Sequence, residues 1–491
     1  MTQILTFAEL FEMSELHNIG KLKLNPLLYL YERIYIWAFF SQNFAFRFSQ
    51  TEGKSRIKAM KRQSKALLML IALGLTVASC GKKENGQLIG AKDRPTWRGI
   101  NPFGMVYIPS GTFHAGPSDE DLSKSYMNRP KSVSIQGFFM DDTEITNNEY
   151  RQFVEWVADS LAHTKLDHYT ETDDGKQIID WSQQIDWEDE TLADLFYQGK
   201  DKFDGRKEFN PDKFIVTYEF YEWQKAAQYN NDWQKAAVAD SIKAKNPEKY
   251  KKYNRQDFIV RKPVVIYPDT LTWIRDFAYS YNEPMTRNYF WHPAFDDYPV
   301  IGVNWHMARA FCWWRTKLWN TYRGKKDQNT EDFRLPTEFE WEYAARGGHD
   351  LAPYPWGGYY TRNSKGCLLA NFKPGRGNYP EDGGMYTVKA DAYFPNDYGL
   401  YNMAGNVSEW TITAYVDNTN GLHDLVPDYR YDAKDSDEPA KKRKVTRGGS
   451  WKDIAYFLQT GTRTFEYQDT TKSYIGFRCV LTFLGRSIND F

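Results

Sequence analysis

Thiols and imidazoles are scarce in this chain. Its 491 residues include four cysteines and eight histidines, and the histidines form no HxxxH pair, so a zinc centre built on one helix face lacks its ligands. GxSxG and GxGxxG are both absent, which removes the serine-hydrolase elbow and the dinucleotide-binding turn. An excess of one charge is missing too. A formal net charge of −1 excludes an extended nucleic-acid-binding face, because phosphate contacts need clustered Lys and Arg. The basic run Lys441–Lys444, KKRK, follows Asp435, Asp437 and Glu438 and reads as a solvated loop. His292 and His306 stand among aromatics and read as hydrogen-bonded core or surface histidines.

Aromatic residues are plentiful instead. Seventeen Trp, 34 Tyr and 31 Phe within a 41% hydrophobic composition are ample for a substantial core, and large amphipathic rings suit irregular folds and protein interfaces. The N-terminal part carries a different signal. Met60–Lys65 is basic, Ala66–Ala78 is apolar but too short to span a bilayer, and Val77-Ala78-Ser79 ends on Cys80. This pattern resembles a bacterial lipoprotein signal cleaved before Cys80, with acyl chains carried on that cysteine. Residues 60–79 are then the signal and 80–102 a polar tether. Residues 1–59, with the aromatic stretch Leu28–Phe48, are an upstream extension from a mis-assigned start, and translation begins at Met60.

From Phe103 the sequence reads as a folded domain. Met105–Phe113 predicts strand, Pro-Ser-Gly turn, strand. Thr146-x-x-Glu149 is a capping box opening a helix with Tyr150, Phe153, Val154 and Val157 on one face. Asn304–Asn320 predicts a second helix with Met307, Phe311, Trp314 and Leu318 as its core stripe. Thr337-x-x-Glu340 caps a third, stopped at Arg346-Gly347-Gly348. Between the first two helices, Asp159–Phe295 is charged and aromatic, with helices expected at Thr217–Lys245 and Pro247–Tyr253. There Trp223-Gln-Lys-Ala-Ala recurs as Trp233-Gln-Lys-Ala-Ala, which reads either as a packed helical hairpin or as a docking surface. A second, smaller insertion, about Asn418–Arg443, is acidic and then basic and reads as an exposed loop. Cys312, Cys367 and Cys479 are free to pair in an oxidising compartment.

Four blocks organise the chain: FRLPTEFEWEYAARGG at Phe333–Gly348, NDYGLYNMAGNVSEW at Asn396–Trp410, TRGGSW at Thr446–Trp451 and GFRC at Gly476–Cys479. The second is a tight coil of Asn, Asp and Gly between apolar anchors, and it offers oxygen donors alone. In this order the blocks resemble the formylglycine-generating-enzyme/sulfatase-modifying family over Gly104–Leu484. The resemblance implies an α+β, C-type-lectin-like fold with little regular secondary structure, formed by residues 103–158 and 296–484, with 159–295 as a long, partly helical insertion. It also implies a structural disulfide Cys312–Cys479, leaving Cys367 as a buried small hydrophobe. Calcium would be held by Asn371, the Phe372 carbonyl, Asp382 and the Gly384 carbonyl, and a second ion by Asn402, the Gly405 and Val407 carbonyls and Glu409; capped turns explain the same residues without metal.

Active members of the family carry two cysteines after the RGGSW motif that hold copper and exchange with the substrate thiol. The matching positions are Asp453 and Leu458, and no cysteine stands between Trp451 and Arg478. Soft thiolate ligation of Cu(I) is thereby excluded, and the expectation is a non-catalytic domain that requires no cofactor. Lipid anchor, missing thiols and insertion together resemble the outer-membrane lipoproteins of the type IX secretion and gliding-motility machinery. That likeness implies a periplasmic ring with the partner GldN/PorN, self-association, contact with other secretion components and no nucleic acid. Two rival functions stay open: a lectin-like binder of glycan or peptidoglycan, and an oxidase with an unconventional centre at Asp453.

Overall fold

The structure, a computed structural model, describes residues 101–485 apart from 118–128, 173–174, 176, 203–206, 230–239, 246, 248–252, 277–284, 286–287, 324–329, 376–379, 381–383 and 420–428. Cys80 and Asp382 lie outside the described residues, as do the signal and tether. Among the described residues no helix is long and apolar enough to cross a membrane.

The first two strands form as expected, yet they do not pair with each other. β1 (Met105–Ile108) runs antiparallel to β4 (Phe138–Asp141), and β2 (Gly111–Ala115) antiparallel to β3 (Lys131–Ile135). On the other edge of β4 lies β13 (Val480–Thr482), which completes the three-stranded sheet β1-β4-β13. With neighbours on both edges, β4 is buried along its whole length.

Both capping boxes close. At the start of α1 (Asn147–Lys165) the Glu149 amide donates to Thr146 Oγ1 and the Thr146 amide to Glu149 Oε2, which satisfies two amides that the first turn leaves without helical partners. Tyr150, Phe153, Val154 and Val157 are buried on one face. They meet α2 (Trp305–Arg323), where Tyr150 stacks on Phe311 at 5.6 Å and Phe153 lies against Trp314. Leu318, expected at the end of the α2 stripe, is instead half exposed. α3 (Glu338–Arg346) has its Thr337/Glu340 box and ends at Gly347 in the left-handed conformation.

Residues 159–295 depart most from expectation. A short hairpin of β5 (Tyr169–Glu171) and β6 (Gln177–Ile179) follows α1. The helix expected from Thr217 begins as a strand: β7 (Ile215–Tyr221) pairs in register with β8 (Ile259–Val265). The reason is period-two burial, since Val216 and Tyr218 point inward while Ile215, Thr217 and Glu219 point out. Among the described residues of Thr217–Lys245, helix appears at Trp223–Tyr229 and Asp240–Lys245; Trp233 and residues 248–252 are not among the described residues.

This region is no appendage. Phe214, Val216, Tyr218, Ile266 and Phe290 belong to the same apolar core as α1 and α2, and Tyr150 Oη donates to the Ile266 carbonyl at 2.8 Å.

The second sheet has four strands and holds three of the sequence blocks. β9 (Ser408–Ala414) lies antiparallel to β10 (Arg443–Arg447) and parallel to β12 (Ile475–Gly476), with β11 (Thr464–Tyr467) on the far edge. Two expectations fail here. The basic run is not solvated at its end, because Lys444 is fully buried in β10, its ammonium 3.9 Å from the centre of the Trp305 ring and bonded to the Tyr431 carbonyl. The preceding stretch is anchored rather than free: Asp432 pairs with Lys262 at 2.6 Å and Arg309 at 3.0 Å, and Ala433 is buried.

Candidate functional site

The coil Asn396–Trp410 sits where β9, β10 and α3 meet, and its conformation follows from its residues. Asn402 and Asn406 take left-handed φ of 51° and 60°, which asparagine tolerates better than most side chains. At Gly405 a Cβ would lie 2.3 Å from the Asn371 carbonyl oxygen, so the two coils touch through backbone. Asn406 then ties the layers together, its Oδ1 accepting from the Val388 amide and its Nδ2 donating to Glu144 Oε1.

At the end of the coil stands Glu409, fully buried in β9. Arg478 of the GFRC block holds both its oxygens, at 2.6 and 2.8 Å, and Trp341 Nε1 donates to Oε2 at 2.7 Å. Arg478 also donates to the carbonyls of Tyr401 and Asp141. A single buried guanidinium therefore joins coil, sheet and first strand pair. Glu144, equally buried, accepts from the Asn402 and Asn406 amides; burial pushes its carboxyl up to about 8, against the favourable pull of Arg478.

The RGGSW block lies beside this core. Gly449, in the left-handed region, brings the chain so close that a Cβ would sit 2.8 Å from the Phe457 carbonyl oxygen. Trp451 stacks on Trp273 at 5.8 Å. Ser450 Oγ donates to Asp453 at 2.6 Å, and the Lys373 amide donates to the Asp453 carbonyl. Leu458 is completely buried among Tyr354, Leu368, Phe372 and Ala404. The two positions that resemblance aligns with the copper-binding thiols thus hold a hydrogen-bonded carboxylate and an aliphatic side chain packed in a small core.

For calcium, both residue sets supply oxygen, the right donor chemistry. In the first, Asn371 is buried and lies close to Gly384, where a Cβ would meet Asn371 Oδ1 at 2.7 Å; Asn371 Nδ2 donates to the Tyr386 carbonyl. In the second, Asn402, Gly405, Val407 and Glu409 share one buried coil, but the only carboxylate is committed to Arg478 and Trp341. A divalent cation there would face a guanidinium with no uncompensated negative charge among its ligands, so that set does not fit. Among the described residues no group of three or more His, Cys, Asp or Glu stands ready for a metal.

Cys312 and Cys479 are brought together: both are buried thiols with sulfurs 3.5 Å apart. Burial raises the Cys479 thiol well above its ordinary value. Cys367 is exposed, not the buried hydrophobe expected; its amide is turned onto Asn363 Oδ1 in a surface turn. His292 caps the turn at Pro293, and His306 lies between Tyr218 Oη and Asp469.

The charged residues that the sequence reading passed over form the other half of this centre. Glu338, Glu342 and Arg346 follow each other at four-residue steps along one face of α3. Arg447 bonds to Glu342 at 3.1 Å, Arg463 to Glu338 at 2.7 Å and Arg346 to Glu342 at 2.7 Å, with all five side chains buried. The four-residue spacing was the available signal.

Residues 96–483 match the family described as sulfatase-modifying factor enzyme 1-like domains. The chain is 26% identical over 394 residues to a formylglycine-generating enzyme of Bos taurus, covering 78% of this chain and 76% of that protein. It is 35% identical over 189 residues to the inactive C-alpha-formylglycine-generating enzyme 2 of Bos taurus, covering 37% of this chain and half of that one. Among solved structures it is similar to PvdO from Pseudomonas aeruginosa, at 16% identity and a TM-score of 0.40, over 77% of this chain and 94% of that one. With most of its length matched, the chain belongs to the sulfatase-modifying factor enzyme 1-like family, a fold of mixed helix and strand whose relatives include both active and inactive formylglycine-generating enzymes.

Proposed function

We propose that this chain is a non-catalytic structural lipoprotein of the GldK/PorK kind, anchored through Cys80 on the periplasmic side of the outer membrane. There it forms a ring with GldN/PorN that supports type IX protein secretion. The observation that carries the non-catalytic half is the pair Asp453 and Leu458: a carboxylate held by Ser450 and a leucine with no exposed surface offer copper no thiolate. A relative named as inactive is compatible with the same reading.

The decisive experiment is a pull-down of the tagged chain from solubilised outer membranes, with mass spectrometry and electron microscopy of the retained fraction. GldN/PorN in ring-shaped particles is the expected result. A monomer retaining only glycan, or one that binds copper and oxidises a substrate thiol, overturns it. Docking through residues 159–295 is tested by surface substitution, because their hairpin is part of the core. Trp223→Ala removes a side chain 71% exposed and is expected to weaken GldN/PorN retention at unchanged stability.

In the exported chain Cys312 and Cys479 pair, and Cys367 is then the single thiol open to alkylation between Cys312 and the C-terminus. Closing that loop contributes roughly 4–5 kcal/mol in a chain-entropy treatment. Alkylation of two thiols more, in denaturant but without reductant, would refute the pairing. Calcium has a structural role alone, at Asn371, Phe372, Asp382 and Gly384, and dialysis against EGTA is expected to lower Tm.

A further inference from the structure

The C-terminal end of α1 closes in a turn that brings two imidazoles together. Asp167 takes a left-handed φ of 55°, and the His168 amide donates back to the His163 carbonyl at 3.0 Å. This closure seats the side chain that follows the left-handed residue against the one near the helix end, a contact usually made by apolar groups. Here both are histidine. Their Nδ1 atoms lie 3.0 Å apart, and among the described residues no other two imidazoles touch.

The surroundings hold this pair in place. His163 is buried and His168 half-buried. The His168 carbonyl accepts from the Asp180 amide just past β6, and the next residue, Trp181, sets its ring edge-on to His163 at 5.4 Å and stacks on Trp156 of α1 at 5.9 Å. One turn before His163, the Asp159 carboxyl is pushed up by burial and drawn down again by His163, so a negative charge stands within reach of the rings. Two nitrogens 3.0 Å apart can share a proton, or an ion about 2.0–2.1 Å from each, the usual imidazole–metal distance. The angle at such an ion is about 94°, close to that of square or octahedral coordination, and imidazole suits nickel and copper.

We infer that His163 and His168 form a binding site for a divalent transition-metal ion of the nickel or copper kind, held by their two Nδ1 atoms and completed by water. The imidazole that donates in the free protein passes its proton from Nδ1 to its own Nε2, so the neutral pair takes up the ion without net loss of a proton. Among the described residues no third His, Cys, Asp or Glu joins the two, which makes the ion exchangeable. It clips the β5–β6 hairpin to the end of α1, because one ligand belongs to the helix and the other opens the hairpin. The inference goes beyond the scaffold role and does not depend on it. Its site is also separate from Asp453 and Leu458.

Ni(II) titrated into the full, untagged chain after EDTA treatment and dialysis is the test, followed by calorimetry and by tryptophan emission. Cu(II) is avoided because it oxidises exposed thiols such as Cys367. One Ni(II) per chain is expected, with partial quenching, since an open-shell ion at the pair lies beside Trp181; Zn(II), with its filled d shell, leaves the emission unchanged. His168→Gln is expected to lose at least about tenfold in affinity, and with it the rise in Tm that saturating Ni(II) gives the parent chain. His114→Gln, in a surface pair with Asp350, keeps both. Should His168→Gln alter the metal-free Tm, Trp181→Phe decides, since it is expected to retain binding and lose quenching. No heat, affinity unchanged in His168→Gln, affinity lost equally in His114→Gln, or quenching undiminished in Trp181→Phe would each overturn the inference.

Discussion

At the end of the coil that leads into β9, Arg478 meets Glu409 with neither side chain exposed, whereas on the β7–β8 hairpin Arg261 meets Glu219 with 58% and 47% of the two side chains in solvent. The distances hardly differ, at 2.6 and 2.9 Å. The surroundings decide what each does. Glu409 and Arg478 are both sealed from bulk solvent, so the pair fixes where three chain segments meet. On the hairpin, solvent screens both charges and the strand pairing stands without them. The contrast extends to neighbouring pairs: Arg447, Arg463 and Arg346 meet Glu338 and Glu342 with side chains no more than 8% exposed, while Lys207–Glu188 in residues 159–295 is exposed.

The largest effect expected from this difference is at Arg478. Arg478→Ala leaves Glu409 buried with Trp341 as its remaining donor and strips the Tyr401 and Asp141 carbonyls of theirs. Removing one partner of a buried pair costs roughly 3–5 kcal/mol, a large share of the stability of any domain. Urea unfolding followed by tryptophan fluorescence checks it. A loss below about 1 kcal/mol would mean that the buried pair behaves as a surface one, and the comparison would collapse.

Lys444 sharpens the comparison because it is a buried cation without a carboxylate in contact. Desolvation pulls its ammonium down to about 7, against the attraction of Asp432. In the unfolded chain the group titrates near 10.5, so between these values the unfolded state holds more protons. Stability therefore rises with pH from about 7 toward 10 and is flat below. Lys444→Met is expected to remove that slope and to stabilise the protein at pH 7 by on the order of a few kcal/mol, with little change at pH 10. Denaturant midpoints across this range report it. An unchanged slope would place the titration elsewhere.

A smaller effect is expected where residues 159–295 join the core. Tyr150→Phe removes the hydroxyl that donates to the Ile266 carbonyl and keeps the ring stacked on Phe311. The loss is about 1 kcal/mol, with the carbonyl left buried. Fluorescence-detected unfolding of this variant should stay a single transition. A new early transition would mean that the hairpin unfolds as a separate unit.

The parts of this architecture that were legible in the sequence are those set by near neighbours. Thr146 and Glu149, or Thr337 and Glu340, are three residues apart and define their helix starts alone. The coil around Gly405 is likewise written in its own Asn and Gly residues. What failed depends on distant partners. Arg478 and Glu409 are far apart in the chain, and nothing near either marks it as buried. Lys444 belongs to a basic run that looks solvated because Trp305 and Tyr431, which enclose it, lie in other segments. At Thr217 two periods overlap: the strand alternation of Ile215–Tyr221 runs straight into the helix formers after Glu222, and pairing with Ile259–Val265 decides between them. Nothing near Cys367 in the chain marks its exposure, and the turn at Asn363 places it outside.

The smallest expected effect completes the contrast. Arg261→Ala deletes a cross-strand partner of Glu219 on the outward face of the hairpin. Because both groups are largely solvated, the Coulomb gain is nearly offset by hydration and by side-chain entropy, and the change should not exceed about 0.5 kcal/mol. Raising the salt concentration should shrink even that, since exposed charges are screened over a Debye length of roughly 10 Å at 0.1 M, while the deficit of Arg478→Ala persists. If Arg261→Ala destabilised as strongly as Arg478→Ala, the hairpin face would have to be covered in the native assembly, and the search for the partner-binding surface would move there.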